Sequence, residues 1–308
     1  MRRILITGSG GAGIFPLWNI LKKKYKIYFS DFNTSLIHPK IPKKLKIKIP
    51  LAKNKKFLIE LKKIIKKYRI DLVVPTVDEE IIKICSNKLI SSISFIPNKQ
   101  FIKKTMDKYI LIQELKRFNL QFPKTYLSNS KKISFSKKYI IKPRFGRGSK
   151  NIHIITKKHQ IRDYLRLYNF RPKEVIVQEF IEGVEYTIFV GMDREENLVK
   201  ILPFQIYKKK GITISGQTQN KVNVINFVKN FCKYFKTNNA FNIQLILSKK
   251  GIYTIEVNPR ISTTFFITLL DNYDPFKTQH KIKKKLETAK KKITLNRHWE
   301  NIINYRNI

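Results

Sequence analysis

Cysteine, acidic residues and alanine are scarce in this 308-residue chain, and each scarcity limits what the protein can be. The two cysteines, Cys85 and Cys232, exclude a disulfide scaffold and are too few for a zinc site of their own. They predict a reducing, cytoplasmic location. No apolar run approaches the roughly 20 residues that cross a bilayer, so we predict no membrane span. Hydrophobic residues still make up 42% of the chain, which is enough for a folded core.

The chain has 21 Asp and Glu against 64 Lys and Arg, a formal net charge of +43. Such an excess suggests a nucleic acid or an anionic membrane as partner. However, 51 of the cations are Lys, only 13 are Arg, and they are spread along the whole chain. Nucleic-acid sites favour Arg for its bidentate contacts. Because lysine codons are AT-rich and alanine occurs four times, we interpret the charge mainly as coding bias on solvated faces and predict no specific nucleic-acid partner. A basic nucleic-acid-binding protein is the alternative of another class.

The N-terminus has the order of a doubly wound α/β fold. Residues 3–7 are apolar, residues 8–13 are glycine-rich, and residues 14–24 have helical spacing. A second apolar run ends at Asp31, at a distance from Gly8 that fits dinucleotide binding. The alternative is a Rossmann-like scaffold that holds no nucleotide. A signal peptide also starts with cations and apolar residues, but the glycines interrupt the apolar core that it needs.

Three acids, Asp78, Glu79 and Glu80, follow the buried strand predicted at residues 70–75. They could bind a metal, or they could oppose the positive dipole of a helix N-terminus. Because strand tips of an open α/β sheet face the ligand crevice, we take Asp78 and Glu79 as candidates for substrate binding. This first unit closes near residue 100.

A predicted strand carries Lys142 and leads into a loop of glycine, arginine and serine, and residues 152–155 form the return strand. Backbone N–H groups and cations in such a loop can fold over phosphates. The Walker pattern is excluded because no helix follows the loop. An ordinary basic hairpin is the alternative.

Residues 175–187 predict a strand, a short polar linker and a second strand. The backbone of such a linker can contact an adenine edge, and its carboxylates can accept hydrogen bonds from ribose hydroxyls. The alternative is an exposed acidic turn.

Residues 241–260 predict a strand hairpin with a polar face. The period of two places Glu256 and Asn258 on one face, which Arg260 continues and which Gln244 reaches from the partner strand. One carboxylate and two amides suit Mg²⁺ that is held mostly by phosphates and waters. A surface strand pair is the alternative.

These segments together resemble the ATP-grasp superfamily, most closely its carbamoyl-phosphate-synthase-like branch. The resemblance covers about residues 100–276 and is carried by DK at 107–108, IIKPRFGRGS at 140–149, VQEFIEGVEYT at 177–187, and FNIQLIL and YTIEVNPR within 241–260. The first hundred residues, with PTVDEE at 75–80, resemble the preATP-grasp domain that precedes it.

The resemblance implies a mixed α/β and α+β fold. It places a Rossmann-like preATP-grasp domain at residues 1–100 and an ATP-grasp fold of two α+β subdomains at 101–276. Residues 101–177 would carry the glycine-rich lid, and residues 178–276 the metal-binding strands. The basic tail at 277–308 is predicted to be helical over 281–292.

The resemblance also implies residue roles. ATP phosphates would contact Lys108, Lys142 and the lid residues Gly146, Arg147, Gly148 and Ser149. Adenine would lie beside Glu179, Phe180 and Ile181, and ribose beside Glu185. Mg²⁺ or Mn²⁺ would bind Gln244, Glu256 and Asn258, and catalysis would depend on Lys142 and Arg260. The acceptor side would include Gly10, Gly11, Asp78, Glu79, Ser215 and Gly216.

The implied function is an ATP- and Mg²⁺-dependent ligase that activates a small carboxylate as an acyl phosphate and transfers it to an amine or similar nucleophile. Carbamoyl-phosphate-synthase-like phosphorylation of bicarbonate or carbamate is the alternative. Ile214 stands where the synthases carry histidine, and the chain has one ATP-grasp module, which favours the carboxylate–amine ligase. Residues 208–218 are expected to face the substrate, and a plain loop is the alternative. A homodimer is compatible with this interpretation.

Overall fold

The computed structural model describes residues 1–277 and 285–298, and its N-terminal part is built on a parallel sheet. The strand order is β3-β2-β1-β4. The strands are β1 (Arg3–Thr7), β2 (Lys26–Asp31), β3 (Lys46–Lys48) and β4 (Leu72–Pro75). The helices are α1 (Ile14–Leu21), α2 (Phe57–Tyr68), α3 (Asp78–Cys85), α4 (Lys88–Ser92), α5 (Lys99–Thr105) and α6 (Lys108–Arg117).

Both faces of this parallel sheet are covered, as continuous apolar strands predict. Ile4 and Ile6 pack on one side in a core that also contains Phe189 from the largest sheet. Leu5 packs on the other side with Leu61 of α2. The doubly wound arrangement predicted for the N-terminus is therefore confirmed.

A second, four-stranded antiparallel sheet has the order β5-β8-β6-β7. Its strands are β5 (Thr125–Leu127), β6 (Tyr139–Pro143), β7 (His153–Ile155) and β8 (Val175–Glu179), and α7 (His159–Tyr168) packs on it. The loop between β6 and β7 contains Gly146 at φ +143° and Gly148 at φ +66°, with open space around both. A side chain at either glycine would meet no neighbour, but the backbone conformation would be strained.

The third sheet is antiparallel and six-stranded, in the order β13-β12-β9-β10-β11-β14. Its strands are β9 (Val184–Met192), β10 (Leu198–Lys210), β11 (Ile212–Thr218), β12 (Phe241–Ser248), β13 (Gly251–Asn258) and β14 (Thr294–Asn296), accompanied by α8 (Val222–Tyr234) and α9 (Phe266–Leu270). Ile243 and Leu245 pack with Val228 of α8. The strand period therefore turns the alternate residues Asn242 and Gln244 to the opposite, polar face.

The plain-loop alternative for residues 208–218 is wrong, because they belong to the β10–β11 hairpin, which turns at Gly211 with φ +70°. The helix predicted in the tail is also wrong where the structure describes it. In the tail, the described residues 285–298 contain no helix, and residues 281–284 of the predicted helix lie outside the described residues. The tail instead pairs β14 with the free edge of β11, so its backbone polar groups are satisfied by the sheet.

Arg297, just after β14, ties three distant segments together. Its guanidinium donates to the carbonyl oxygens of Thr213 at 2.9 Å, Ala12 at 2.9 Å and Thr263 at 2.7 Å. The tail therefore holds the glycine turn of the parallel sheet against the six-stranded sheet. Within the described residues, no helix is long and apolar enough to cross a bilayer.

Candidate active site

A cleft of about 830 Å³ lies between the carboxyl end of the parallel sheet and the polar face of the six-stranded sheet. The glycine turn and the start of α3 form one wall, and strands β12 and β13 form the other. The tip of the loop between β6 and β7 also lines it. Ligand crevices of open α/β sheets lie at this same strand edge.

Glu256 is the carboxylate at the centre of the six-stranded wall. It pairs in register with Gln244, and Asn258 pairs with Asn242. Burial alone would raise the pKa of Glu256, but Lys108 first, then Lys142, Arg260 and Lys209, hold it below its ordinary value. Glu256 therefore stays ionised, and four cations surround one acid. Such a cluster attracts a polyanion.

Lys108 reaches this cluster because Asp107 fixes the start of α6. The Asp107 carboxylate caps the helix by accepting from the backbone N–H of Tyr109 at 2.9 Å, and it also pairs with Arg144 at 2.5 Å. The Lys108 Nζ then lies 3.4 Å from Glu256 and donates to the carbonyl of Gly146 at 2.9 Å. Lys108 thus links the lid loop to β13, the strand that carries the candidate metal ligand Glu256.

Lys142 enters from β6 and is 3% exposed. Its Nζ donates to Gln178 at 2.8 Å. Burial, with a contribution from the neighbouring Lys108, lowers the pKa of Lys142 to about 8. A bound anion would favour the charged form of this amine and raise its pKa again.

Other predicted site residues form two ion pairs. Arg260 donates to Asp78, so this carboxylate, predicted to face a substrate, is paired with a cation across the cleft. Lys209 of β10 donates to Glu185, and its Nζ lies 3.5 Å from Gln244. Lys209 lines the cleft and was missed by sequence reasoning, because a lysine within the run 208–210 carries no distinguishing pattern.

The lid and the linker lie at the periphery. Arg147 pairs with Glu79 at 3.4 Å, which joins the lid to α3, and Gly148 and Ser149 line the cleft beside it. Glu179 accepts from Lys137 at 3.0 Å. Phe180 and Ile181 are half-buried in the linker between β8 and β9, outside the cleft lining.

The remaining predicted positions divide into two groups. Gly10 and Gly11 line the cleft, and the Gly10 N–H donates to Asp31 at 3.0 Å. Because Asp31 also accepts from the backbone of Asn33 at 3.2 Å, its carboxylate serves the turn. Ser215 and Gly216 lie within β11, between β10 and β14, and do not line the cleft.

Sequence reasoning named Glu80 only within the acidic cluster 78–80, without keeping it as a candidate, and missed Asn242. Both line the cleft and are buried. Glu80 accepts from the Thr7 hydroxyl. The Oδ1 of Asn242 accepts from Thr187 at 3.0 Å, while its buried Nδ2 has no partner among the described residues. An unsatisfied buried donor costs about 1–3 kcal/mol, which marks this position as one where a ligand acceptor fits.

The donor set around Glu256 fits a hard cation. One carboxylate and two amides supply oxygen ligands, which Mg²⁺ and Mn²⁺ prefer. No group of three His, Cys, Asp or Glu that could hold a metal occurs in the described ranges. An ion here would therefore need ligands from a bound anion, as Mg²⁺ takes them from phosphates.

A model of the ATP-grasp domain matches residues 105–264, just over half of the chain. The chain belongs to the ATP-grasp family. The segments around Lys108, Lys142, Glu185 and Glu256 all fall within this ATP-grasp match, so the family predicted from them is confirmed.

Known ATP-grasp relatives align over different lengths. The chain is 30% identical over 170 residues to D-alanine–D-alanine ligase of Petrotoga mobilis, which is 50% of this chain and 57% of that protein. It is 26% identical to tyramine–L-glutamate ligase of Methanocaldococcus fervens, over 77% of this chain and 76% of that one. The alignment with the first relative thus spans little more than half of that relative.

The fold also matches solved structures. Biotin carboxylase of Campylobacter jejuni, solved with β,γ-ATP, superposes with a TM-score of 0.69 at 13% identity, covering 90% of this chain and 70% of that one. At this sequence identity the match shows that the fold is shared, and it shows nothing about the reaction. The predicted fold class, a Rossmann-like part followed by an ATP-grasp fold, is confirmed.

Proposed function

We propose that this protein is an ATP- and Mg²⁺-dependent ligase that activates a small carboxylate as an acyl phosphate and joins it to an amine. The observation that carries the proposal is the cluster of Lys108, Lys142, Lys209 and Arg260 around Glu256, which lines a cleft of the ATP-grasp fold. Asp78 and Glu185 pair with two of these cations, so four cations meet three carboxylates, and the excess of positive charge suits a triphosphate with its metal ion. The two free cysteines support a cytoplasmic location.

The nucleotide would lie between the lid sheet and the polar face of the six-stranded sheet. Its phosphates would contact Lys108, Lys142 and the lid loop 146–149. Its adenine would meet the linker 179–181 and its ribose Glu185, once Lys209 releases that carboxylate. Gln244, Glu256 and Asn258 would hold Mg²⁺ or Mn²⁺, which would withdraw electron density from the phosphoryl oxygens.

The chemistry would proceed in two displacements. A carboxylate oxygen of the substrate attacks the γ-phosphorus, the bond to the β-phosphate oxygen breaks, and ADP leaves. The amine then attacks the acyl carbon, the C–O bond breaks, and phosphate leaves with a proton from the amine. Arg260 and Lys142 offset the charge on the transferring group, so positioning and electrostatics supply most of the catalysis.

The relatives support this choice of reaction. One is named for joining two D-alanines and another for joining tyramine to L-glutamate. Both reactions join an amino acid to an amine. We therefore extend the proposal to an amino acid or a similar small acid as the activated substrate. We also propose that the preATP-grasp domain spans residues 1–100 and the ATP-grasp domain residues 101–276.

The test is acid-dependent ADP release. Purified protein is assayed with MgATP and pooled amino acids, with ammonium, tyramine and D-alanine as amine probes. Glu256→Gln and Lys142→Met should abolish the release, and Glu60→Gln, on the exposed side of α2, should not. The proposal fails if ADP release needs no acid, or if both site variants behave as wild type. Stimulation by bicarbonate alone would instead support the carbamoyl-phosphate-synthase-like reaction.

A further inference from the structure

Glu80 is a buried carboxylate without an ion-pair partner. It is 6% exposed, and the Thr7 hydroxyl is its one hydrogen-bond donor among the described residues. The chain has 64 Lys and Arg, yet none of those that the structure describes pairs with it. A buried charge costs several kcal/mol unless a counter-charge or further hydrogen bonds compensate it. The missing counter-charge is the feature that needs an explanation.

The position of Glu80 points into the substrate side of the cleft. It lines the cleft from the first turn of α3, two residues after Asp78, whose carboxylate holds Arg260. Asp78, which pairs with the cation of the six-stranded wall, and the buried Glu80 therefore lie within one turn of the same helix.

One oxygen of the Glu80 carboxylate is unoccupied. The Thr7 hydroxyl donates to Oε2, and no described residue donates to Oε1. A cleft-lining carboxylate with a spare oxygen suits a compact cation with several N–H donors. A primary ammonium group has three such donors.

We propose that Glu80 binds the ammonium group of the acceptor amine and accepts its proton before attack. This inference rests on the proposed function and specifies its second half. Because Glu80 touches the reacting nitrogen, it is a catalytic residue for the coupling step, and it has no part in the formation of the acyl phosphate.

The protons of the coupling step balance between the substrate amine, Glu80 and the leaving phosphate. An ammonium nitrogen has no lone pair, so it transfers one proton to the Glu80 carboxylate and becomes a neutral amine. The neutral amine forms the new C–N bond as the C–O bond to phosphate breaks. A second proton leaves the nitrogen with the phosphate, and Glu80 returns its own proton to solvent when the product departs.

The charged groups around Glu80 favour this role. Burial is the largest cause that raises the pKa of Glu80, and Asp31 and Glu79 add to it, while the Thr7 hydroxyl and Arg147 of the lid lower it, so that the pKa is about 7. A base of this strength is partly ionised at neutral pH and exchanges protons readily. An approaching ammonium group would stabilise the ionised form.

The test separates coupling from activation by a change of nucleophile. Hydroxylamine is mostly uncharged at neutral pH and needs no base, so it traps the acyl phosphate as a hydroxamate. The variants are Glu80→Gln, which keeps an oxygen for Thr7, and Glu80→Asp, which keeps the acid. Glu60→Gln is the matched surface control. Amide formation with the acid and amine that give most ADP release is compared with hydroxamate formation from the same acid.

We expect Glu80→Gln to lose amide formation by at least about 100-fold, the usual contribution of a general base, and to keep hydroxamate formation. Glu80→Asp should keep part of the coupling, with its kcat/KM for the amine still rising with pH. Equal loss of both products in Glu80→Gln would overturn the proposal, as would full retention of both. If wild-type protein forms neither ADP nor hydroxamate, the proposed function itself fails.

Discussion

On the wall of the cleft formed by the six-stranded sheet, Glu256 lies among four cations, whereas on the wall formed by the parallel sheet, Glu80 has no ion-pair partner among the described residues. The net charge of +43 predicts the first environment and not the second. The two pKa values move in opposite directions, down for Glu256 and up for Glu80. The local balance of charge, and not the total, therefore distinguishes the proposed anion site from the proposed amine site.

The largest expected effect comes from removing the acid of the cationic wall. Glu256→Gln should reduce acid-dependent ADP release by about 100- to 1000-fold, comparable to the loss of a principal electrostatic contact in an active site. It leaves four cations without their shared carboxylate and removes the one carboxylate among the three proposed metal ligands. The measurement is ADP release over a titration of Mg²⁺. A variant with unchanged activity and Mg²⁺ dependence would contradict the assignment of Glu256.

The next effect comes from a buried cation of the same wall. Lys142→Met keeps the length of the side chain but removes its charge, so the affinity for ATP should fall by roughly 10- to 100-fold, the loss of one charged hydrogen bond. Calorimetric titration with ATP measures the change, and a melting curve shows whether the fold is intact. Unchanged affinity in a folded variant would mean that the phosphates do not reach Lys142.

The protonation of Lys142 should change when ATP binds. The pKa of Lys142 is lowered to about 8, so above this pH the free protein holds the amine mostly neutral. Bound phosphates favour the charged form, so ATP binding should take up a fraction of a proton when the pH lies above about 8 and almost none well below it. Calorimetry in two buffers of different ionisation enthalpy measures the uptake.

Lys142→Arg is the control for this proton uptake, because arginine stays protonated in both states. The uptake should disappear in this variant. If wild type and variant take up protons equally, the titrating group is not Lys142.

The smallest effect is expected where the two walls meet at the surface. Arg147 and Glu79 are 43% and 61% exposed, and such pairs contribute about 0–1 kcal/mol. Glu79→Gln should therefore change the KM for ATP by less than about fivefold and leave the melting temperature nearly unaltered. Steady-state kinetics at low and high salt measure this. A large, salt-independent loss would show that Glu79 contacts a substrate rather than only the lid.

The parts of this protein that the sequence predicts well are those specified by local order. Strand period alone turns Gln244, Glu256 and Asn258 to one face, and the structure pairs Gln244 with Glu256 in register. The glycines of the loop after Lys142 predict an open turn, and the turn is there. These features depend on residues within one hairpin, so their geometry follows from neighbours in the chain.

The parts that sequence reasoning missed depend on contacts between distant segments. Arg260 meets Asp78 across 182 positions, so neither motif shows by itself that the carboxylate is already paired. Burial distinguishes Glu80 from its neighbour Glu79, and burial of a single acid in a helix first turn has no sequence pattern. The described part of the predicted helix, residues 285–292, has helical composition, but its backbone has partners elsewhere: Glu287 bridges to Lys200, and the N–H groups of Lys290 and Lys291 donate to Asp271. Tertiary contacts outweigh propensity there.

The hydrogen bonds of Arg297 have a consequence for the order of events during synthesis. Its guanidinium binds carbonyl oxygens near residues 12, 213 and 263, which all border the cleft. A nascent chain that has not yet released residue 297 from the ribosome lacks the group that joins these three segments. Translation proceeds at about 5–20 residues per second, so the parallel sheet has many seconds to form before this last connection is made. The glycine turn of the parallel sheet can therefore be tied to the six-stranded sheet through Arg297 only after both sheets have been synthesised.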